Sequence, residues 1–333
     1  MATNQRSQHM KVKRKRKKKR FWLTFSLSLL FILILSTIGY GFSLWNSAAN
    51  MVTDSYESDG REDGSELRDD TVELDDENIS ILFIGVDQGG GREINEHGLS
   101  DSLILTTLNK SDKSVKMVSI PRDSYVYVPE RDTYTKITHA HAYGGPKATI
   151  ETVENLFDLP VDYFVKINFN AFIDVVDALG GIEYDVPFEM YEMDSDDNKN
   201  AIHLLPGEQM LDGEEALAVA RTRKYDNDLE RGKRQQEVLN AIFDRALSLN
   251  TVFNVNNIFD AVGNNMTTNL AFSDMTRLSS RFLSKDLTIE SINLEGRDMM
   301  KDLYYYDIDD DHLEEVSTEL RNHLELDKAE ATE

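Results

Sequence analysis

Residues 79–87 read Ile-Ser-Ile-Leu-Phe-Ile-Gly-Val-Asp, a nearly unbroken apolar run of strand length that stops at a glycine turn. A strand with one wet face alternates in polarity. This one does not, so both faces need cover and it belongs in a sheet with helices on either side. Residues 102–108 and 115–120 are two further strands. After Gly144, Gly145 and Pro146, the residues Ile150, Val153, Leu156 and Phe157 recur at helical spacing, and Pro160 follows as a stop. Alternation returns at 163–169. A helical face of Phe172, Val175, Val176 and Leu179 then ends at Gly180 and Gly181, the expected left-handed cap, and residues 182–186 form a strand. Helices at 214–222, 229–250, 275–283 and 312–324, with a strand at 287–294, complete the pattern. Strands alternating with helices predict a layered α/β domain.

No cysteine occurs in the 333 residues, which removes disulfides, thiolate catalysis and thiolate zinc sites. The net charge of -24 is unevenly spread: residues 1–20 hold ten of the 36 Lys and Arg and no acid, leaving 26 bases against 60 acids, or -34, beyond them. A chain so acidic repels a nucleic-acid backbone, so no nucleic-acid partner is expected and any polyanion ligand needs a local basic site. Residues 21–53 carry no charged side chain, and 21–45 are dominated by Leu, Ile, Phe and Trp, enough to cross a bilayer as a helix. The preceding basic run marks the cytoplasmic side, which puts everything after Trp45 outside the cell membrane in a single pass. A cleaved signal peptide, with small residues at Ser47, Ala48 and Ala49, and a DNA-binding tail at 1–20 are the competing readings. From Asp54 to Glu77 there are twelve acids, two arginines and almost no large apolar residue, which reads as a solvated stalk.

Asp87 ends the first strand and is followed by Gln88, three glycines and Arg92. Asp101 stands just before the next strand. Ligands of open α/β sheets sit at strand carboxyl ends, and two carboxylates there suit a hard divalent cation, although each alone also suits a turn or cap. Arg122 follows a strand that Pro121 terminates, and its planar donor fork fits phosphate, with an Arg122–Asp123 pair as the structural alternative. Lys136 is a weaker candidate with solvation as its default. Arg221, Arg223, Lys224, Arg231, Lys233 and Arg234 place six cations within fourteen residues of an acidic chain. Arg231, Gln235, Val238 and Ile242 share one helical stripe, so its polar start should point into a cleft rather than form a solvated face. Cations around a cleft beside two carboxylates fit phosphoryl transfer. The chain has no nucleophile elbow, no His-Glu-x-x-His and no nucleotide-type phosphate loop.

These motifs resemble, in order, the LytR-CpsA-Psr family of wall-polymer ligases. They are Leu82-Phe83-Ile84-Gly85-Val86-Asp87, Ser100-Asp101, Ser119-Ile120-Pro121-Arg122-Asp123, Thr135-Lys136-Ile137-Thr138-His139-Ala140 and Tyr143-Gly144-Gly145-Pro146. Val176-Asp177-Ala178-Leu179-Gly180-Gly181-Ile182, Leu211-Asp212-Gly213-Glu214-Glu215-Ala216-Leu217-Ala218, Ala220-Arg221-Thr222-Arg223-Lys224, Asp228-Leu229-Glu230-Arg231 and Arg234-Gln235-Gln236 follow. The resemblance implies a three-layer α/β/α sandwich with a mixed central sheet, preceded by one transmembrane helix, and a greasy tunnel for a polyprenyl tail. It implies Mg2+, or Mn2+ in its place, at Asp87 and Asp101. Arg122, Lys136, Arg221, Arg223, Arg231 and Gln235 would surround a pyrophosphate, with Asp228 orienting the arginines. Asp87, Asp101, Arg122, Arg221 and Asp228 are the implied catalytic set. One departure is Leu99, where the family usually has arginine; Arg92 is the candidate to supply that charge.

The expected organisation is a basic cytoplasmic tail (1–20), a transmembrane signal anchor (21–45), an acidic extracellular stalk (46–77), a LytR-CpsA-Psr core (78–250), a C-terminal α/β part of the same domain (251–326) and a tail (327–333). The implied activity is magnesium-dependent transfer of an anionic glycopolymer, teichoic acid or capsule-like, from a polyprenyl pyrophosphate carrier to peptidoglycan, leaving a phosphodiester link. A hydrolase of the lipid pyrophosphate and a membrane-anchored transcriptional attenuator are the alternatives.

Overall fold

In a computed structural model of the protein the described residues are 56–61, 64–68, 72, 74, 77–86, 98–222, 224, 228–248, 265–282 and 287–326. The expected tail and membrane span, Asp87, Arg92 and Arg223 lie outside them. Among the described residues no helix is long and apolar enough to cross a membrane.

The apolar run becomes β1 (Ile79–Val86), at the middle of a six-stranded sheet. It pairs antiparallel with β2 (Ser100–Asn109) and parallel with β6 (Tyr163–Asn168). Beyond β2 lie antiparallel β3 (Ser114–Ser119) and then β12 (Thr288–Asn293), parallel to β3; beyond β6 lies antiparallel β11 (Met266–Thr268). The sheet is therefore mixed, and both edge strands come from residues after 250. Residue parity divides β1 between two cores. Leu82, Ile84 and Val86 pack in the cluster with α1 (Thr138–Phe157) and α6 (Asp310–Leu324). Ile79, Ile81 and Phe83 join the cluster with α4 (Asp228–Ser248) and α5 (Phe272–Phe282). Helices thus cover both faces, as an unalternating strand requires.

A third apolar cluster joins α2 (Phe169–Ala178), α3 (Gly213–Arg221) and two small hairpins, β7 (Ile182–Val186) with β10 (Gly207–Leu211) and β8 (Met190–Glu192) with β9 (Ile202–Leu204). Gly180 (φ 74°) and Gly181 (φ 88°) end α2 in the left-handed region. Their N–H groups donate to the Asp177 and Val176 carbonyls at 2.9 Å each, closing the last turn. On α4, Val238 packs in this cluster while Leu239 and Phe243 pack against the sheet, so α4 spans the seam between the two.

The structure departs from the sequence reading in several places. The helix expected after Gly144-Gly145-Pro146 starts earlier, at Thr138, and breaks at Gly144 (φ -152°) and Gly145 (φ 65°) before Pro146 restarts it. The pattern also passed over the short strands β8 to β11 and two further hairpins, β4 (Tyr125–Val128) with β5 (Thr133–Lys136) and β13 (Gly296–Met300) with β14 (Tyr304–Ile308). Finally, the described part of the acidic segment is fastened to the domain at several residues, although others, Glu57 and Glu66 among them, stay exposed. Tyr56 bridges to Thr268 on the edge strand β11, Arg61 pairs with Asp59 and Glu154, Arg68 pairs with Asp162, and Leu74 is buried among the sheet residues. The two arginines that looked incidental among twelve acids are the residues that fasten the segment.

Candidate active site

A cavity of about 570 Å³ opens where the sheet meets the third cluster. Its walls are mainly apolar: Phe83, Ile104 and Val165 from the sheet, Phe169, Phe172 and Val175 from α2, and Val238, Leu239, Ile242 and Phe243 from α4. Polar side chains gather in the same lining, namely Asp101, Ser102, Arg122, Asn168, Arg221, Arg231 and Gln235. The boundaries of strands and helices explain this segregation. Asp101 and Ser102 begin β2 beside the end of β1, Arg122 follows β3, Arg221 is the last residue of α3, and Arg231 lies in the first turn of α4.

The stripe read from the sequence is intact, since Arg231, Gln235, Val238 and Ile242 all line the cavity. Arg231 is buried, and its Nη2 donates to the Asp101 backbone carbonyl at 3.4 Å. Ser102 Oγ donates to Gln235 Oε1 at 3.0 Å, and Gln235 Nε2 donates to the Ala220 carbonyl at 3.3 Å, tying β2, α4 and the end of α3 together. Arg122 Nη1 donates to Asp101 Oδ1 in a close ion pair. Its Nε lies 3.8 Å from Asp123 Oδ2. The guanidinium of Arg221 sits over the Phe169 ring, 4.5 Å from the centroid. Stacking on an aromatic face orients a cation while leaving its donors available.

The six-cation cluster divides. Arg221 and Arg231 reach the cavity. Arg234 is buried elsewhere, donating to the Val219 carbonyl at 3.1 Å and the Thr222 carbonyl at 2.5 Å, where it satisfies the C-terminal end of α3. Lys224 pairs with Glu192 at 3.2 Å and Lys233 with Glu230 at 2.7 Å, both about half-exposed lysines. Lys136 does not line the cavity. Its Nζ donates to Asp123 Oδ1 at 2.6 Å, so it reaches Arg122 through the shared Asp123 carboxylate. The side chain of Asp228, at the start of α4, lies with Asp87 and Arg223 outside the described set. Leu99, at the position of the family's arginine, is exposed.

Sequence reasoning missed Ser102 and Asn168. Ser102 was hidden by its neighbour Asp101. Asn168 ends β6 and caps α2 by accepting from the Ala171 N–H at 2.9 Å, and a strand-to-helix boundary at a carboxyl end was the signal that could have found it. Burial lowers the pKa of the His139 imidazole, with Lys136 adding to the effect and Asp123 opposing it.

Comparison with known proteins identifies the family and the fold. The profile of the LytR_cpsA_psr family matches residues 42–322. The polyisoprenyl-teichoic acid--peptidoglycan teichoic acid transferase TagT of Bacillus subtilis is 38% identical over 324 residues, covering 96% of this chain and 99% of that protein. The solved structure "TagT bound to LI-WTA" is similar with a TM-score of 0.69 and 40% identity over 80% of this chain and 98% of its own. A structure of the "LytR-CPS2A-psr family protein YwtF (TagT) with bound octaprenyl pyrophosphate lipid" has a TM-score of 0.65 and 38% identity over the same shares. With the mixed sheet, the ordered motifs and a match spanning residues 42–322, this chain belongs to the LytR_cpsA_psr family.

Proposed function

We propose that the protein transfers an anionic glycopolymer of the teichoic-acid or capsule class from a polyprenyl pyrophosphate carrier to peptidoglycan, joining the two through a phosphodiester. The observation that carries this reading is the cavity, in which a deep apolar wall meets Arg122, Arg221 and Arg231 in an otherwise acidic molecule. An isoprenoid pyrophosphate has those two halves, a greasy chain and a dense anion. Relatives named as teichoic acid transferases, one of them solved with octaprenyl pyrophosphate, support the same substrate class.

In this reading the lipid tail lies along Phe83, Val165, Leu239 and Phe243, and the arginines neutralise the pyrophosphate. A peptidoglycan sugar hydroxyl, the C6 hydroxyl of N-acetylmuramic acid, attacks the sugar-proximal phosphorus. A new P–O bond forms to the acceptor, the bond to the bridging oxygen breaks, and polyprenyl phosphate departs with its charge held by the guanidinium groups. The acceptor proton passes to Asp101 or Asp87. Ser102 and Gln235 keep the two sides of the mouth in register, and Lys136 steadies Arg122 through Asp123. Arg223 adds charge at the pyrophosphate and Asp228 orients the arginines.

The donor set fits magnesium, or manganese in its place. Asp101 presents a hard carboxylate at the rim beside the Ser102 hydroxyl, and Asp87 follows the neighbouring strand end. A cation held by two carboxylates would take its remaining positions from water and phosphate oxygens. Bound there, it would offset charge on the pyrophosphate. Residues 21–45 would anchor the chain in a single pass, with residues 1–20 in the cytoplasm and the domain outside the cell membrane.

The test is incubation of the full chain with a labelled lipid-linked glycan and peptidoglycan. Label joined to peptidoglycan supports the proposal, whereas free sugar phosphate alone identifies a hydrolase.

A further inference from the structure

The outward face of the β4–β5 hairpin is aromatic. Val126 and Val128 turn into the core, so the alternate residues Tyr125 and Tyr127 face out, and the cross-strand partners of these tyrosines are Lys136 and Tyr134. Tyr134 stacks on Tyr125 with ring centroids 5.5 Å apart and contacts Tyr127 at 5.4 Å. The β13–β14 hairpin extends this face. Tyr305 meets Tyr125 edge-on at 5.0 Å, and Lys301 Nζ lies 3.5 Å from the centre of the Tyr125 ring. Tyr134 is the ring left open to solvent, 59% exposed, with Tyr125 and Tyr127 half-buried beside it and Tyr305 buried behind them; Met300 and Leu303 at the tip of the second hairpin are exposed as well. A run of rings, each locked by another ring or by a cation, is an ordered apolar platform rather than scattered surface tyrosines.

Its position links it to the cavity. The Tyr306 N–H donates to the Asp123 carbonyl at 2.8 Å, fixing the second hairpin to the residue that follows Arg122. Lys136, directly across from Tyr125, reaches Asp123 at 2.6 Å. The platform therefore begins one residue from a guanidinium of the cavity mouth.

Its chemistry selects a sugar chain. The C–H face of a pyranose stacks on an aromatic ring, and its hydroxyls need acceptors at the ring edges. Carboxylates stand at those edges. Asp132 accepts from the Tyr127 hydroxyl at 2.8 Å, Asp298 from Tyr304 at 2.8 Å and Asp302 from Tyr305 at 3.3 Å. These three carboxylates outnumber the two lysines of the face, Lys136 and Lys301, so a polymer that carries a phosphate in each repeat is disfavoured here.

We propose that the tyrosine face of the two hairpins binds the acceptor, a glycan strand of amino sugars, and leads its hydroxyl to the cavity mouth. This rests on the transferase reading above and names the surface that reading leaves open.

The experiment uses the full chain in detergent, with Tyr134→Ala and Tyr134→Trp. Two quantities are read: cosedimentation with peptidoglycan stripped of anionic polymer, without donor, and the acceptor KM of transfer at saturating donor. Tyr134→Ala is expected to weaken cosedimentation and raise the acceptor KM by about tenfold with kcat held, while Tyr134→Trp stays close to the native chain. Soluble teichoic acid is expected not to compete. Native cosedimentation and native KM in Tyr134→Ala overturn the proposal. So does competition by teichoic acid, which assigns the face to the donor, or a loss seen only with anionic lipid vesicles, which assigns it to the membrane. If the native chain binds glycan through Tyr134 but forms no linked product, the transferase reading fails and the glycan face stands.

Discussion

Arg122 meets an acid on each side, with Asp101 on Nη1 and Asp123 at 3.8 Å from Nε, and it still lines the cavity. An arginine held by two carboxylates is fixed in direction before any phosphate arrives, which is the condition for stabilising charge without reorganisation. Arg122→Ala should lower kcat/KM for transfer by about a hundredfold, and Arg122→Lys should recover only part, because an ammonium lacks the planar fork. Steady-state kinetics on a lipid-linked donor measure both, and native kinetics in Arg122→Ala would remove this residue from the chemistry. Asp101→Asn should raise the half-saturating magnesium concentration by about tenfold, read by adding the cation back after chelation. At this scale the sequence was informative about residue type and less so about direction. By charge count alone Arg221 and Arg234 looked equivalent, and only the resemblance singled out Arg221; in the structure one lines the cavity and the other satisfies the carbonyls of Val219 and Thr222. Which way a long side chain turns depends on acceptors from other elements.

Among the elements, α4 does the most to shape the site. Its cavity stripe follows from the 3.6-residue period and was legible in the sequence, whereas its other contacts were not. Gln236 Nε2 donates to the Ile292 carbonyl at 2.9 Å and the Met117 carbonyl at 3.3 Å, joining the helix to β12 and β3. The start of α3 approaches α2 so closely that a Cβ on Gly213 would lie 2.5 Å from the Ile173 carbonyl oxygen. Gly213→Ala should therefore destabilise the fold by about 1–3 kcal/mol, measured by urea denaturation. On α6, buried His323 bonds Thr107 and Ser114 hydroxyls at 2.8 Å each, so one imidazole joins the helix to β2 and β3. Burial, reinforced by Lys116, lowers its pKa below the ordinary 6.5. The unfolded chain then takes up the proton first. The stabilisation is complete above that ordinary value and is lost as pH falls from it through the folded-state value. The urea midpoint should drop on acidification through this window, and drop less in His323→Gln.

Across the whole molecule, the N-terminal acidic segment belongs to the domain wherever it is described. Arg68 donates to both oxygens of Asp162, at 3.0 and 2.7 Å, and Asp162 also accepts from the Ser80 backbone N–H at 2.8 Å. Because Asp162 is almost fully buried, removing its partner leaves a carboxylate that water reaches poorly. Arg68→Ala should cost about 2–4 kcal/mol, and calorimetry should show a lower Tm. An unchanged Tm would mean that the segment rests on the domain without supporting it.

The local pattern alone was enough to specify the central strand, the helices on either side, the left-handed glycine cap and the α4 stripe, because each reflects a period or a backbone preference within a few residues. The resemblance added the family and the substrate class. Tertiary structure decided the rest: the edge strand β11, the edge position of β12, the platform of tyrosines, the indirect place of Lys136 and the docking of an acidic segment by two arginines. Those features depend on partners far apart in sequence, such as Arg61 with Glu154 and Tyr125 with Tyr305. Charge counts and hydropathy describe what a segment would do alone in water, and a buried partner contributed by another part of the chain reverses that outcome.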